Sequence, residues 1–409
     1  MNKELIVTAG RVLAAPDGAP LHDGAVLVAT DGTISAIGTQ AEVVQLASPD
    51  VDRWDFPDKT VLPGLVNCHI HLAFDASADP AATLRNTDDV ALLAAMTERA
   101  GQLLDAGITT ARDLGDRGGL AAQLRNAIGA GTAAGPRILT AGAPLTVVGG
   151  HCWFLGGEVT GDASIRAAVA DHAAYGVDVI KVMVSGGHMT PGGAAMWEPQ
   201  FDARQLEVVV DAAREVGLPV AAHAHGTDSI IACVEAGVDT IEHCTWLVGH
   251  PAEGRYGTPD HVAEMIAAAG IYVCPARSSN WETFKRLDSL LDRLAWMDRH
   301  GLKVVAGTDA GVTGSFFDDF ARSLGLYARA GWSPARVLAM ATTEAAAAIG
   351  LADSIGQLKP GFSADLIAVD GDPLADLDAL GRVRFVLARG RVHLPPAASG
   401  SQQHAAAGG

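Results

Sequence analysis

A chain of 409 residues is longer than one compact core of ordinary size needs, and suits a large barrel domain joined to a smaller one. Half of it is apolar (49%) and a fifth charged (19%), a balance that excludes a disordered chain. A formal charge of −18, with no block of Lys or Arg, excludes a nucleic-acid backbone as partner, and no run of about 18 apolar residues exists to span a membrane.

The chain starts "MNKELIVTAG", without the apolar stretch and small-residue cleavage site of a secretory signal. Five scattered cysteines (Cys68, Cys152, Cys233, Cys244, Cys274), odd in number and never in CxxC spacing, fit buried free thiols. Both features lead us to expect a cytoplasmic protein. The first sixty residues read as short strands, "LIVTAGRVLA", "GAVLVATDGTISAIG" and "VDRWDFPDKTVLPG", parted by the turn signals "PDG" and "TDGT". The same texture returns near the other end in "SADLIAVDGDPL" and "VRFVLARGRVHL". We therefore expect residues 1–60 and 355–395 to build one composite β-sandwich, residues 61–354 to form a domain inserted between them, and residues 396–409 to be a disordered tail.

The inserted part alternates. Apolar runs occur in "TVLPGLVNCH", "ITTARDLG", "PRILTAG", "DVIKVMVSGG", "LPVAAHAHG", "DTIEHCT", "IYVCPA" and "LKVVAGTDAG". Between most of them lie helical patterns such as "DDVALLAAMTERAGQLLDAG" and "DARQLEVVVDAAREVG", several ending in a capping Gly. Eight β units alternating with helices predict a parallel (β/α)8 TIM barrel. Continuous rather than alternating apolar strands suit a sheet covered on both faces.

Polar residues fall on those strands in a pattern. His69 and His71 close the first, Lys181 lies in the fourth, His223 and His225 close the fifth, His243 closes the sixth and Asp309 the eighth. The C-terminal strand ends of such a barrel converge on one mouth, where active sites form. In His69-x-His71 the period-2 pleat points both imidazoles to one side, so both can reach one ion. Taken singly, each has an ordinary explanation: a hydrogen-bonded structural His, a snorkelling Lys, a turn Asp. Taken together, on the strand ends of one barrel, they point to a metal site.

"LPGLVNCHIHL", "IKVMVSGG", "AAHAHG", "TIEHCT" and "AGTDAG" resemble the amidohydrolase superfamily, and within it the branch of imidazolonepropionase-like and prolidase-like hydrolases. The match spans almost the whole chain. The resemblance implies that His69 and His71 hold the more buried of two divalent ions with Asp309 also contacting it. It further implies that Lys181 takes up CO2 as a carbamate bridging both ions, and that His223 and His243 hold the second. Burial in an apolar strand favours the neutral amine that carboxylation requires; the plain alternative is a buried lysine paired with an acid. Nitrogen and oxygen ligands without thiolate suit zinc. Such a pair polarises a carbonyl and activates a bridging hydroxide, with Asp309 as the general base and then acid.

Substrate contacts are expected from His151 in "VVGGHCWF", from His188 and its neighbours in the Gly-rich "SGGHMTPGGAAMWEPQF", and from His225, Trp246 and Arg277. His22, His172, His250, His261, His300, His393 and His404 read as incidental. The resemblance implies hydrolysis of an amide in a small molecule such as a dipeptide or N-acyl amino acid. Hydrolysis of a cyclic amide or a xenobiotic amide or carbamate, and an inactive barrel scaffold, are the alternatives. The sequence leaves a homo-oligomer open.

Overall fold

The structure, a computed structural model, describes residues 3–250 and 253–396. Of the expected tail, residues 397–409 lie outside the described residues, as does His404. Both ends of the chain meet in one sheet. β1 (Leu5–Val12), β2 (Leu21–Val28), β3 (Ile34–Thr39) and β4 (Asp52–Pro63) come from the N-terminal side; β15 (Leu366–Asp370), β16 (Val383–Ala388) and β17 (Arg391–His393) come from the other. The order is β17-β16-β15-β4-β1-β2-β3, with β4 parallel to β1 and antiparallel to β15. The sheet rolls upon itself: Ile34 N–H donates to Phe362 O at 2.8 Å, and Gly361 N–H to Ile34 O at 2.8 Å. Leu5, Val26, Ile34, Val61, Leu366 and Phe385, from strands across its width, thereby share one apolar core. The expected β-domain of both termini is present, as one curled sheet.

Between β4 and β15 lies the barrel. Its strands are β5 (Leu65–Ile70), β6 (Ile108–Asp113), β7 (Arg137–Thr140), β10 (Ile180–Met183), β11 (Val220–Gly226), β12 (Thr240–Leu247), β13 (Tyr272–Cys274) and β14 (Lys303–Val304). A small parallel pair, β8 (Thr146–Val147) and β9 (Glu158–Val159), lies in the loop after β7. Parallel ladders join β5 to β7 and β10 to β14. Single bonds close the ring. Leu145 N–H donates to Lys181 O and Met183 N–H to Leu145 O, both at 2.8 Å, while Cys68 N–H donates to Ala306 O and Asp309 N–H to His69 O, both at 2.9 Å.

Local chemistry explains the outer helices. Asp88 caps Asp89–Asp105 by accepting from Ala91 N–H, and Asp202 with Gln205 forms a capping box on Ala203–Glu215. The next turn of chain often begins at a left-handed glycine, as at Gly176 and Gly237. None of the described helices is long and apolar enough to cross a membrane.

Candidate metal centre

The strand ends surround a cavity of about 330 Å³ whose lining includes His69, His71, Lys181, His223, His243 and Asp309. The pleat of β5 brings His69 and His71 to the same side, where their Nε2 atoms lie 3.1 and 3.2 Å from Asp309 Oδ1. Each ring is oriented from behind. His69 Nδ1–H faces Glu242 Oε2 at 2.7 Å, and His71 Nδ1–H faces Gly115 O at 3.2 Å. Those partners leave both Nε2 lone pairs directed at the same carboxylate oxygen, which has no aligned hydrogen bond of its own. Burial opposes the charge of Asp309, yet the two imidazoles hold its carboxyl well below the usual range. Burial likewise opposes a proton on His71, but Asp309 raises it. Three acceptor atoms this close call for a cation among them.

His223, His225 and His243 form a second group, with one ligand atom of each within 4.8 Å of the others. The His225 and His243 rings stack at 4.5 Å, and His223 meets His243 edge-on at 4.5 Å. Burial, then mutual repulsion, pushes His223 well below the usual imidazole value. His225 and His243 are pushed the same way, first by burial. All three are neutral lone-pair donors. His223 Nε2 lies 3.2 Å from Gly186 O, which leaves Nδ1 as its free nitrogen.

Lys181 is 1% exposed, and its Nζ has no hydrogen-bond partner. Burial lowers its pKa against the pull of Glu242 and Asp309. An orphaned buried amine is costly unless something else uses it. Two ligand clusters, with a lone-pair-bearing nitrogen at each imidazole and an unused lysine beside them, fit a group of divalent ions held by N and O atoms. The backbone is strained at the same place, since His243 (φ 65°) and Asp309 (φ 59°) occupy the left-handed region without being glycine.

The carboxylate behind His69 has no counterpart in the sequence expectations. Glu242 is fully buried and takes hydrogen bonds from Arg112 Nη2 (2.8 Å) and Thr240 Oγ1 (2.6 Å) as well as facing His69. Burial opposes its charge, but Arg112 and His69 keep the carboxyl far below normal. Strand alternation would send Glu242 and His243 to opposite faces; the left-handed turn at His243 lets both serve the centre. A glutamate directly before the histidine in a buried strand is the signal that could have revealed it.

The expected substrate contacts divide. His151 lines the cavity, buried, with its ring 4.8 Å from that of His223, and burial followed by His188 pushes it down to about 3. His225 belongs to the second histidine group, and its Nδ1 lies 2.9 Å from Thr245 Oγ1. His188 stands exposed at the rim, its Nδ1 3.3 Å from Met196 Sδ. Arg277 lines the cavity, and its Nε has no partner. Trp246 does not line it. Left-handed backbone at Cys244 (φ 46°) and Trp246 (φ 61°) turns this indole into the core, edge-on to Trp296 at 5.2 Å. None of His22, His172, His250, His261, His300 and His393 lines the cavity.

Residues 60–393 match the model of the amidohydrolase family. The chain belongs to that family. An ochratoxinase of Aspergillus niger is 27% identical over 419 residues, covering 92% of this chain and 83% of its own. An imidazolonepropionase of Mesorhizobium japonicum is 26% identical over 383 residues, covering 85% and 86%. The crystal structure of an Xaa-Pro dipeptidase with methionine bound in the active site superposes with a TM-score of 0.83 at 27% identity, covering 96% of this chain and 100% of that one. This amidohydrolase is therefore an enzyme of metal-dependent hydrolysis at carbon–nitrogen bonds, on the barrel-plus-β-domain architecture.

Proposed function

We propose that the enzyme hydrolyses the amide bond of a dipeptide or an N-acyl amino acid at a pair of zinc ions. His69, His71 and Asp309 would hold one ion, His223 and His243 the other, and Lys181, as its carbamate, would bridge them. When bound, the ions polarise the scissile carbonyl and lower the pKa of the attacking water. The chain supplies the remaining steps. Asp309, held as a carboxylate, takes the proton from that water and returns it to the leaving nitrogen. Neutral His151 donates a hydrogen bond to the oxygen on which charge develops, and His225, steadied by Thr245, faces the substrate beside it. His188 closes the rim, and Met183, Met189 and Met196 provide an apolar wall for a side chain.

One observation carries the choice of substrate class. Arg277 is a guanidinium with neither ion pair nor side-chain hydrogen bond among the described residues, and it lines the same cavity as Asp309. An α-carboxylate sits one carbon from the scissile nitrogen, which is the group Asp309 must protonate. A cation in the cavity that holds Asp309 therefore suits a substrate whose leaving amine carries a free carboxylate. The same apolar wall, with an imidazolonepropionase among the relatives, favours a cyclic or xenobiotic amide as the second reading.

The test is metal content per chain on zinc-supplemented protein, beside Lys181→Ala, together with turnover of N-acyl amino acids and of their carboxamides. About two ions in the parent, fewer in the variant, and cleavage of the free acids are expected. One ion, unchanged in the variant, would overturn the bridged pair. Equal cleavage of acids and carboxamides would favour the second reading.

A further inference from the structure

His151 is held by a loop to which it does not belong. It follows β7, and two side chains of the loop after β10 reach across to it. Gln200 Oε1 accepts from the His151 backbone N–H at 2.7 Å. On its other side Gln200 Nε2 donates to Met183 O at 2.7 Å, and Gln200 N–H donates to Val184 O at 2.8 Å. His151 is thereby tied to the end of the strand that carries Lys181. Thr190, buried and fixed in a turn where Gly193 N–H donates to its carbonyl at 3.0 Å, accepts from Cys152 N–H at 2.9 Å. Cys152 presents that N–H from left-handed backbone (φ 56°), which a residue other than glycine adopts only at a cost.

A further contact decides where a hydrogen sits. Thr190 Oγ1 lies 3.5 Å from His151 Nδ1. One lone pair of that oxygen is taken by Cys152 N–H, so the hydroxyl is free to donate, and Nδ1 is the acceptor within its reach. Burial keeps the His151 ring neutral, and a neutral imidazole carries a single N–H. A hydrogen bond accepted at Nδ1 places that N–H on Nε2, whose neighbour is the weak acceptor Cys152 Sγ at 3.6 Å. A substrate oxygen in the cavity is the better acceptor. We propose that Gln200 and Thr190 are positioning residues for His151: Gln200 sets where the ring stands, and Thr190 sets which nitrogen carries its hydrogen. The inference rests on the reading of His151 as donor to the developing oxyanion, and the test reads tautomer and turnover separately.

Zinc-loaded protein with isotope-labelled histidine gives NMR signals for the ring nitrogens, and His151→Gln identifies those of His151. The parent should show a protonated Nε2 and a bare Nδ1. Thr190→Val should lose that pattern, and its kcat for N-acetyl-L-phenylalanine should fall about 10–100-fold, with KM within about threefold of the parent. Zinc per chain should not change, and Thr190→Ser should restore both the tautomer and kcat. Gln200→Leu should lower kcat to a similar degree with the hydrogen still on Nε2, because it displaces the ring without changing its partner at Nδ1. Each variant is checked for a parent-like thermal transition. A parent His151 protonated at Nδ1 overturns the proposal, as does Thr190→Val with the parent tautomer and kcat; an unchanged kcat in Gln200→Leu overturns the part given to Gln200. Should Thr190→Val fail to fold, the parent tautomer and Gln200→Leu still decide. A tautomer that changes in Thr190→Val while kcat does not would sink His151 as the oxyanion donor and leave its positioning by Thr190 standing. Loss of kcat in His151→Gln, with a parent protonated at Nδ1, would do the reverse.

Discussion

Glu242 shows how one buried carboxylate governs a centre it never needs to touch. It fixes the His69 tautomer so that Nε2 keeps its lone pair, and Arg112 in turn keeps Glu242 ionised. Glu242→Gln retains the shape but weakens that hold, and zinc affinity should fall about 10–100-fold in competition with a chromophoric chelator. Asp309→Asn should lower kcat by about 10²–10⁴-fold in a steady-state assay while the far-UV spectrum stays unchanged, because the proton carrier is lost. Asp113 and Asp116 offer a prediction about stability. Asp113 accepts from Leu72 N–H (2.7 Å) and Gly115 N–H (3.1 Å), while Asp116 accepts from Ala121 N–H (2.7 Å). Burial, then the charge of Asp116, raises the Asp113 carboxyl from 3.8 to about 7. Between those values the native state holds a proton the unfolded chain has released, so stability is lost as pH rises through that window. The melting temperature should therefore drop from pH 5 to 7.5, and less steeply in Asp116→Asn, which keeps an oxygen for Ala121.

At the scale of elements, the loop after β10 is built around glycines that bring it against the barrel. A Cβ on Gly187 would stand 2.3 Å from His151 Cε1, and one on Gly226 would stand 2.4 Å from Trp197 O. Gly187→Ala meets the end of a side chain rather than backbone, so the fold should tolerate it while His151 is displaced. We expect kcat/KM to fall about 100-fold, with a thermal transition close to that of the parent. The eight barrel strands were legible because strands covered on both faces are apolar runs bounded by turn residues, even where, as in β13 and β14, only three and two residues pair regularly. The histidines that line the cavity were legible because the pleat fixes the side to which alternate residues point. Reading failed where the backbone departs from the pleat. The left-handed residues His243, Cys244 and Trp246 bring Glu242 into the centre and carry Trp246 away from it, and no spacing rule anticipates such a turn.

For the molecule as a whole, the proposed ligands come from β5, β10, β11, β12 and the turn after β14, so bound ions tie together strands from right around the barrel. Removing them with a chelator should abolish turnover and lower the melting temperature, and added zinc should restore both. Free metal at 1,000 times its dissociation constant stabilises a native state by about 4 kcal/mol, a shift that calorimetry reads directly. The curled end sheet carries a different consequence. β4 pairs with β15 across most of the chain, and Lys59 reaches Asp370 at 2.9 Å over a separation of 311 residues. A ribosome releases β4 long before its partner exists, so for most of synthesis that strand shows a bare edge to the cell. The completed barrel cannot shield it. Only the arrival of β15 does, and a message interrupted before Leu366 would yield a sticky, chaperone-dependent product however well its catalytic half had folded.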